Sequence, residues 1–137
     1  MKPRSAEGYR AIREVYDMVP EVICRGRCHD TCTSVGATPL ERAVIRERHD
    51  VDLGPTIPSR QLAELDDRGQ TPRCPALSAI NTCSIYPDRP LICRLYGADA
   101  SLPCVHGCVP ARGSWLDTVV GTEMIATVDL ISQIHDH

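Results

Sequence analysis

Eight cysteines, at positions 24, 28, 32, 74, 83, 93, 104 and 108, fall into two groups in this 137-residue chain. Thiolates are soft ligands suited to zinc and to iron–sulfur clusters, while protonated cysteines pack as small hydrophobes and can oxidise to disulfides. The first group, "CRGRCHDTC", spaces its sulfurs four residues apart. Positions i, i+4 and i+8 share one face of a regular helix, so a packed face, a set of disulfides and a metal site all remain open for it. Gly26 inside the run, and Arg25, His29 and Asp30 beside it, are poor companions for a core stripe. A curved segment that turns three sulfurs toward one point fits those residues better. The spacing is not the C-x2-C of a zinc knuckle.

In the second group each of Cys74, Cys83 and Cys93 sits beside a turn element, and Cys104 and Cys108 follow with His106 between them. Scattered core use would not confine all eight cysteines to 24–32 and 74–108. The pattern predicts metal ligation by at least four of them, with Cys24, Cys28, Cys32, Cys74, Cys83, Cys93, Cys104 and Cys108 as the candidates. His29 and His106 are candidate nitrogen ligands or hydrogen-bond donors to the ligands. His49, His135 and His137 have no such context and are expected in solvent.

The run "CPAL…CSIYPDRPLICRLYG" resembles the YkgJ-type cysteine-cluster family, described as zinc- or iron-chelating domains. Its hallmark is Cys-Pro-x-Leu, Cys-x-Ile-Tyr, Arg-Pro and Cys-Arg. It matches Cys74, Pro75, Leu77, Cys83, Ile85, Tyr86, Arg89, Pro90, Cys93 and Arg94, and a later Cys-x-x-x-Arg matches Cys108 and Arg112. The family's N-terminal motif, C-x2-C-x2-C-C, is replaced here by C-x3-C-x3-C at 24–32. The resemblance spans about residues 22–113 and implies a bound metal, iron–sulfur or zinc. A related module accompanies iron–sulfur chemistry in lysine methylases that act on flagellin. Arg94, beside Cys93, and Arg89 are expected to face the cofactor and offset the charge of a net negative cluster.

The elements that must position these residues are short. The chain has no Phe, one Trp and four Tyr, and 11 Pro and 9 Gly interrupt it. Residues 5–19 predict a first helix with Ser5 as cap, Tyr9, Ile12, Tyr16 and Val19 on one face, and Pro20 as its stop. Thr38-Pro39-Leu40-Glu41 predicts the start of a second helix, with Thr38 and Glu41 capping each other. Leu40, Val44 and Ala43 should face inward, and Arg42, Arg46, Glu47 and Arg48 outward. A short helix is expected at 59–68, ended by Gly69. Residues 76–86 suggest a small hairpin with Asn81-Thr82 near its tip. Pro90 should open a short helix that Gly97 stops. Residues 114–134 predict a C-terminal packing helix, capped by Ser114, with Leu116, Val119, Val120, Met124, Val128, Ile131 and Ile134 as its apolar face.

The sequence therefore predicts a small, mainly α single domain over 1–137, with a short β-hairpin, organised around a cysteine-ligated metal centre in 22–113. A [4Fe–4S] cluster is the expected cofactor, because the spacings are irregular and cysteines outnumber histidines; zinc is the alternative. Such a domain gains from a cross-link of this kind, given its modest core.

A net charge of −3 supplies no general attraction to nucleic acid, although 14 arginines stand against one lysine. Arg25, Arg27, Arg42, Arg46 and Arg48 keep a nucleic-acid contact open as an alternative to the favoured protein partner. A redox enzyme or electron carrier is the third reading. No glycine-rich phosphate or dinucleotide loop, no Ser-His-Asp set and no open catalytic position is visible, so the expected role is a binding or accessory module, redox-responsive in one version. The N-terminal residues lack an apolar signal core, and no stretch reaches the ~18–20 apolar residues of a membrane span, so a cytoplasmic location is expected.

Overall fold

Local signals place the helices. Thr38 is extended and its hydroxyl accepts from the Glu41 N–H, while Glu41 reaches back to the Thr38 N–H and Pro39 occupies the first turn. This reciprocal cap starts a helix as the sequence expects. The computed structural model describes residues 3–22, 36–55, 57–70, 73–80, 82–104, 108–110 and 115–135. Its helices are α1 (Pro3–Tyr16), α2 (Pro39–His49), α3 (Ser59–Asp67), α4 (Leu91–Leu95) and α5 (Thr118–His135), with one 3-10 turn at Tyr86–Asp88. Cys24, Cys28, Cys32, His29, His106, Arg112, Ser114 and His137 lie outside the described residues.

Three helices build the scaffold. α1 packs on α5 and α2, and α5 also meets α2 and α4. The main core joins Ile12, Val15, Tyr16, Leu40, Val44, Leu91, Leu95, Met124 and Val128, with Tyr9, Val19 and Leu116 against its edge. The expected α1 face thus packs inward, although the helix starts at Pro3 and leaves Ser5 inside it. Proline suits a first helical turn, which explains the earlier start. A second cluster of Ile45, Leu53, Cys74, Ala76 and Ile85 joins the back of α2 to the first of the later cysteines.

Two expectations need correction. Among the described residues there is no β-strand: the segment expected as a hairpin makes one isolated antiparallel bridge, Leu77 to Cys83. Ser78 N–H donates to the Thr82 carbonyl and Ser84 N–H to Ala76, but the Ser78 hydroxyl bonds the Thr82 hydroxyl at 2.8 Å and accepts from the Ile80 and Thr82 N–H groups. Side-chain bonds to local backbone take the place of further ladder, and Pro75 and Pro87 flank the loop on either side. The second correction concerns α5. Its buried seam is Gly121, Met124, Val128 and Ser132, whereas Val119, Val120 and Ile134 from the expected apolar face stand exposed, as does Leu130. The helix is apolar on more than one side, so periodicity alone did not select the seam; small residues did, because they admit close neighbours. Ser132, buried, accepts from the Leu40 N–H at 3.1 Å and so ties α5 to the start of α2. At the start of α5 the Asp117 carboxylate accepts from Val119 N–H.

Gly121 shows how tight the seam is. A Cβ built there would lie 2.0 Å from Asp99 Oδ2. Asp99 is buried and held by the Ser101 N–H, the Ser101 hydroxyl and the Thr118 hydroxyl, so it has little room to move aside. Those bonds outweigh burial and hold its carboxyl below the usual carboxylate range. Gly121→Ala should gain about 1 kcal/mol of helix propensity and lose more to overpacking, about 1–3 kcal/mol in typical cores. With so short a contact the net expected outcome is destabilisation, read as a lower urea midpoint with an unchanged slope.

Among the described residues, no helix is long and apolar enough to cross a membrane.

Candidate metal centre

α4 is only five residues long, yet both of its ends are fastened. Pro90 precedes it and offers no side-chain cap; instead the Leu91 N–H donates 2.7 Å to Oε2 of Glu41, a buried side chain on α2. At the other end Gly97 has φ +85, a left-handed conformation that glycine adopts without strain. A Cβ at Gly97 would lie 3.2 Å from the Val22 side chain and 3.5 Å from the Cys104 Cβ, so the same residue lets the neighbouring segments close in. Leu91 and Leu95 anchor α4 in the main core, which leaves Cys93 on a different side of the helix.

Four other described cysteines lie near Cys93. With Cys104 and Cys108 it lines one small pocket, open in part to solvent, completed by Val22, Tyr86, Arg89 and Tyr96. Cys74 and Cys83 are also close enough that their negative charge would raise its pKa. Cys74 and Cys83 belong to the second core cluster. Burial foremost, then Cys74, pushes the Cys93 thiol up to about 12, against the pull of Arg89. Burial likewise pushes Cys83 up, opposed by the Ile85 N–H and by Arg89. Without a metal these two thiols hold their protons at neutral pH.

The arginines divide their tasks. Arg89 lines the pocket, with its guanidinium 4.0 Å over the Tyr86 ring and its Nε donating to the Tyr86 carbonyl. Arg94 points elsewhere: it donates to the carbonyls of Arg89 and Pro87 at 2.8 Å each and stacks 4.1 Å over Tyr16. Its observed contacts hold the turn before α4. Arg73 donates to the Ser78 carbonyl.

Two buried carboxylates, Glu41 and Asp88, hold this region to the scaffold. Glu41 accepts from Thr38 and Leu91 and from the Tyr16 hydroxyl. Asp88, in the 3-10 turn, accepts from the Tyr9 hydroxyl, from Arg48 Nε at 3.0 Å and from His49 Nε2 at 2.6 Å. His49 is therefore not a solvated histidine, and Arg48 is not merely a surface charge. His135 also departs from expectation, half-buried with its Cβ close to Gly8 of α1. No local pattern marks these pairings, since their partners lie 25 to 79 residues away.

The residues present suit a soft metal in type: five described cysteines gather on and around α4, with a cationic side chain among them. Among the described residues, however, no three His, Cys, Asp or Glu side chains are already arranged to hold a metal ion. The two described residues that flank 23–35 both lie beside α4: Val22 lines the cysteine pocket, and Gly36 rests against Ile92, the neighbour of Cys93.

The family model described as "CxxCxxCC: Putative zinc- or iron-chelating domain" matches residues 23–111. The chain belongs to this family. Membership supports metal binding through cysteines, and the matched span takes in all eight of them. No curated protein and no solved structure matches the chain.

Proposed function

We propose that this family member holds one [4Fe–4S] cluster through its clustered cysteines and acts as a binding or accessory module. The observation that carries the reading is the proximity of Cys93 to Cys74 and Cys83 and, around a shared pocket, to Cys104 and Cys108. Four thiolates suffice for such a cluster. The ligands are drawn from these five residues and from Cys24, Cys28 and Cys32, whose segment departs from Val22 and returns at Gly36, both beside α4. A bound cluster would supply a one-electron centre or a structural clip. The chain's own contribution is to gather soft donors on a short, fastened helix and to keep the Arg89 guanidinium beside them, where it favours thiolate over thiol. Metal uptake must then displace protons from Cys93 and Cys83, so affinity rises with pH.

Exposed Val119, Val120, Leu130 and Ile134 on α5 support a protein partner. Arg42 pairs with Asp52 and Arg48 with Asp88, which draws charge away from the nucleic-acid reading.

Protein purified without oxygen, from cells supplied with iron, should be brown and carry about four irons and four acid-labile sulfides per chain. Colourless protein with stoichiometric zinc and no sulfide would replace the cluster by a structural zinc site.

A further inference from the structure

We infer that Glu41 is a positioning residue for the metal centre: its carboxylate couples the cap of α2 to the cap of α4 and so fixes where Cys93 is presented. Glu41 is 3% exposed, and each of its oxygens meets two donors. Oε1 accepts from the Thr38 N–H at 3.1 Å and the Thr38 hydroxyl at 3.0 Å. Oε2 accepts from the Leu91 N–H at 2.7 Å and from the Tyr16 hydroxyl. Four donors from three parts of the chain converge on one side chain, and two of them are backbone N–H groups at the starts of different helices.

Only an acceptor at both oxygens can serve this arrangement. An ionised carboxylate offers two accepting oxygens, whereas a Gln amide offers one oxygen and one donating NH2. The two hydroxyls could turn to accept from that NH2, but a backbone N–H cannot. Glu41→Gln can therefore accept from the Thr38 N–H or from the Leu91 N–H, not both, and it leaves the other facing a donor. The helix released more readily is α4, because five residues are too few to hold a helix without outside contacts. Cys93 is the third residue of that helix.

The consequence for the metal rests on the proposed cysteine-ligated centre; the consequence for α4 does not. The test uses full-length protein as purified under reducing, oxygen-free conditions, with three variants. Glu41→Gln should lose iron to a chelator at least tenfold faster than the parent, alter the shape of the visible absorption, and raise amide exchange at 91–95 at least tenfold relative to 121–128 in α5. Tyr16→Phe keeps the Leu91 bond; it should lower overall stability yet leave the absorption shape and the exchange ratio unchanged. Glu41→Asp keeps the charge but is one methylene shorter, so it should keep the α2 cap, release Leu91 and give the same local signature, which covers the case in which Glu41→Gln does not fold. Iron loss at the parental rate with an unchanged exchange ratio would overturn the inference. So would equal acceleration of exchange in α4 and α5, which would mean that Glu41 supports only the fold as a whole. If the parent protein carries no metal, the proposed function fails, and the exchange ratio alone still decides the role of Glu41.

Discussion

Cys93→Ser should reduce the metal content of the purified protein to less than about a tenth of the parental value, the largest functional effect expected of any single substitution here. Cys93 shares a pocket with Cys104 and Cys108 and lies close enough to Cys74 and Cys83 to feel their charge. A serine hydroxyl is a harder, much less acidic donor, so it does not replace a thiolate toward a soft metal. The scaffold should survive, because α4 contributes Leu91 and Leu95 to the main core and these are untouched. Metal analysis of Cys93→Ser beside Cys74→Ser and Cys104→Ser checks the ranking. Full metal in Cys93→Ser, with loss in Cys104→Ser, would move the centre away from α4.

What the sequence revealed of this arrangement was what depends on near neighbours. Thr38, Pro39 and Glu41 announce α2 because their bonds close within one turn, and Pro90 and Gly97 bound α4 because each restricts its own backbone. The hallmark cysteines announce the family because its motifs are short runs of neighbouring residues. The second role of Glu41 was hidden behind its first: a residue that already completes a capping box gives no sign that its other oxygen will meet Leu91, fifty residues on. The face of α5 was misjudged for a different reason. Hydrophobic periodicity finds where a helix is apolar, but Gly121 and Ser132 lie in the seam because of what packs against them, namely Asp99 and the start of α2. The hairpin failed on competition: Ser78 and Thr82 spend their hydroxyls on one another and on local N–H groups, and the pairing stops at one bridge.

Asp88 is the other buried carboxylate that holds this region, and its removal should have the largest effect on stability. Its side chain is 4% exposed and collects the Tyr9 hydroxyl from α1, Arg48 and His49 from the last turn of α2, and thus ties the turn before α4 to two helices. Burial pushes its carboxyl above the ordinary range, with Arg94 pulling the other way, so the site is costly to charge and depends on its donors. Asp88→Ala leaves the Tyr9 hydroxyl and the half-buried His49 without their acceptor and the Arg48 charge without its partner. Breaking a buried pair on one side costs about 3–5 kcal/mol. Arg48 is 47% exposed and can turn to water, so the expected loss is at the low end, about 3 kcal/mol, a large fraction of the ~5–15 kcal/mol that holds a typical domain. Asp88→Asn keeps one accepting oxygen and should lose less than half as much. Urea unfolding of both variants, each with its metal content measured, checks the order. Because Asp88 sits five residues before Cys93, Asp88→Ala should also release metal more readily, whereas a variant that unfolds earlier but holds metal as tightly as the parent would show that the Glu41 bond alone is enough to keep α4 in place.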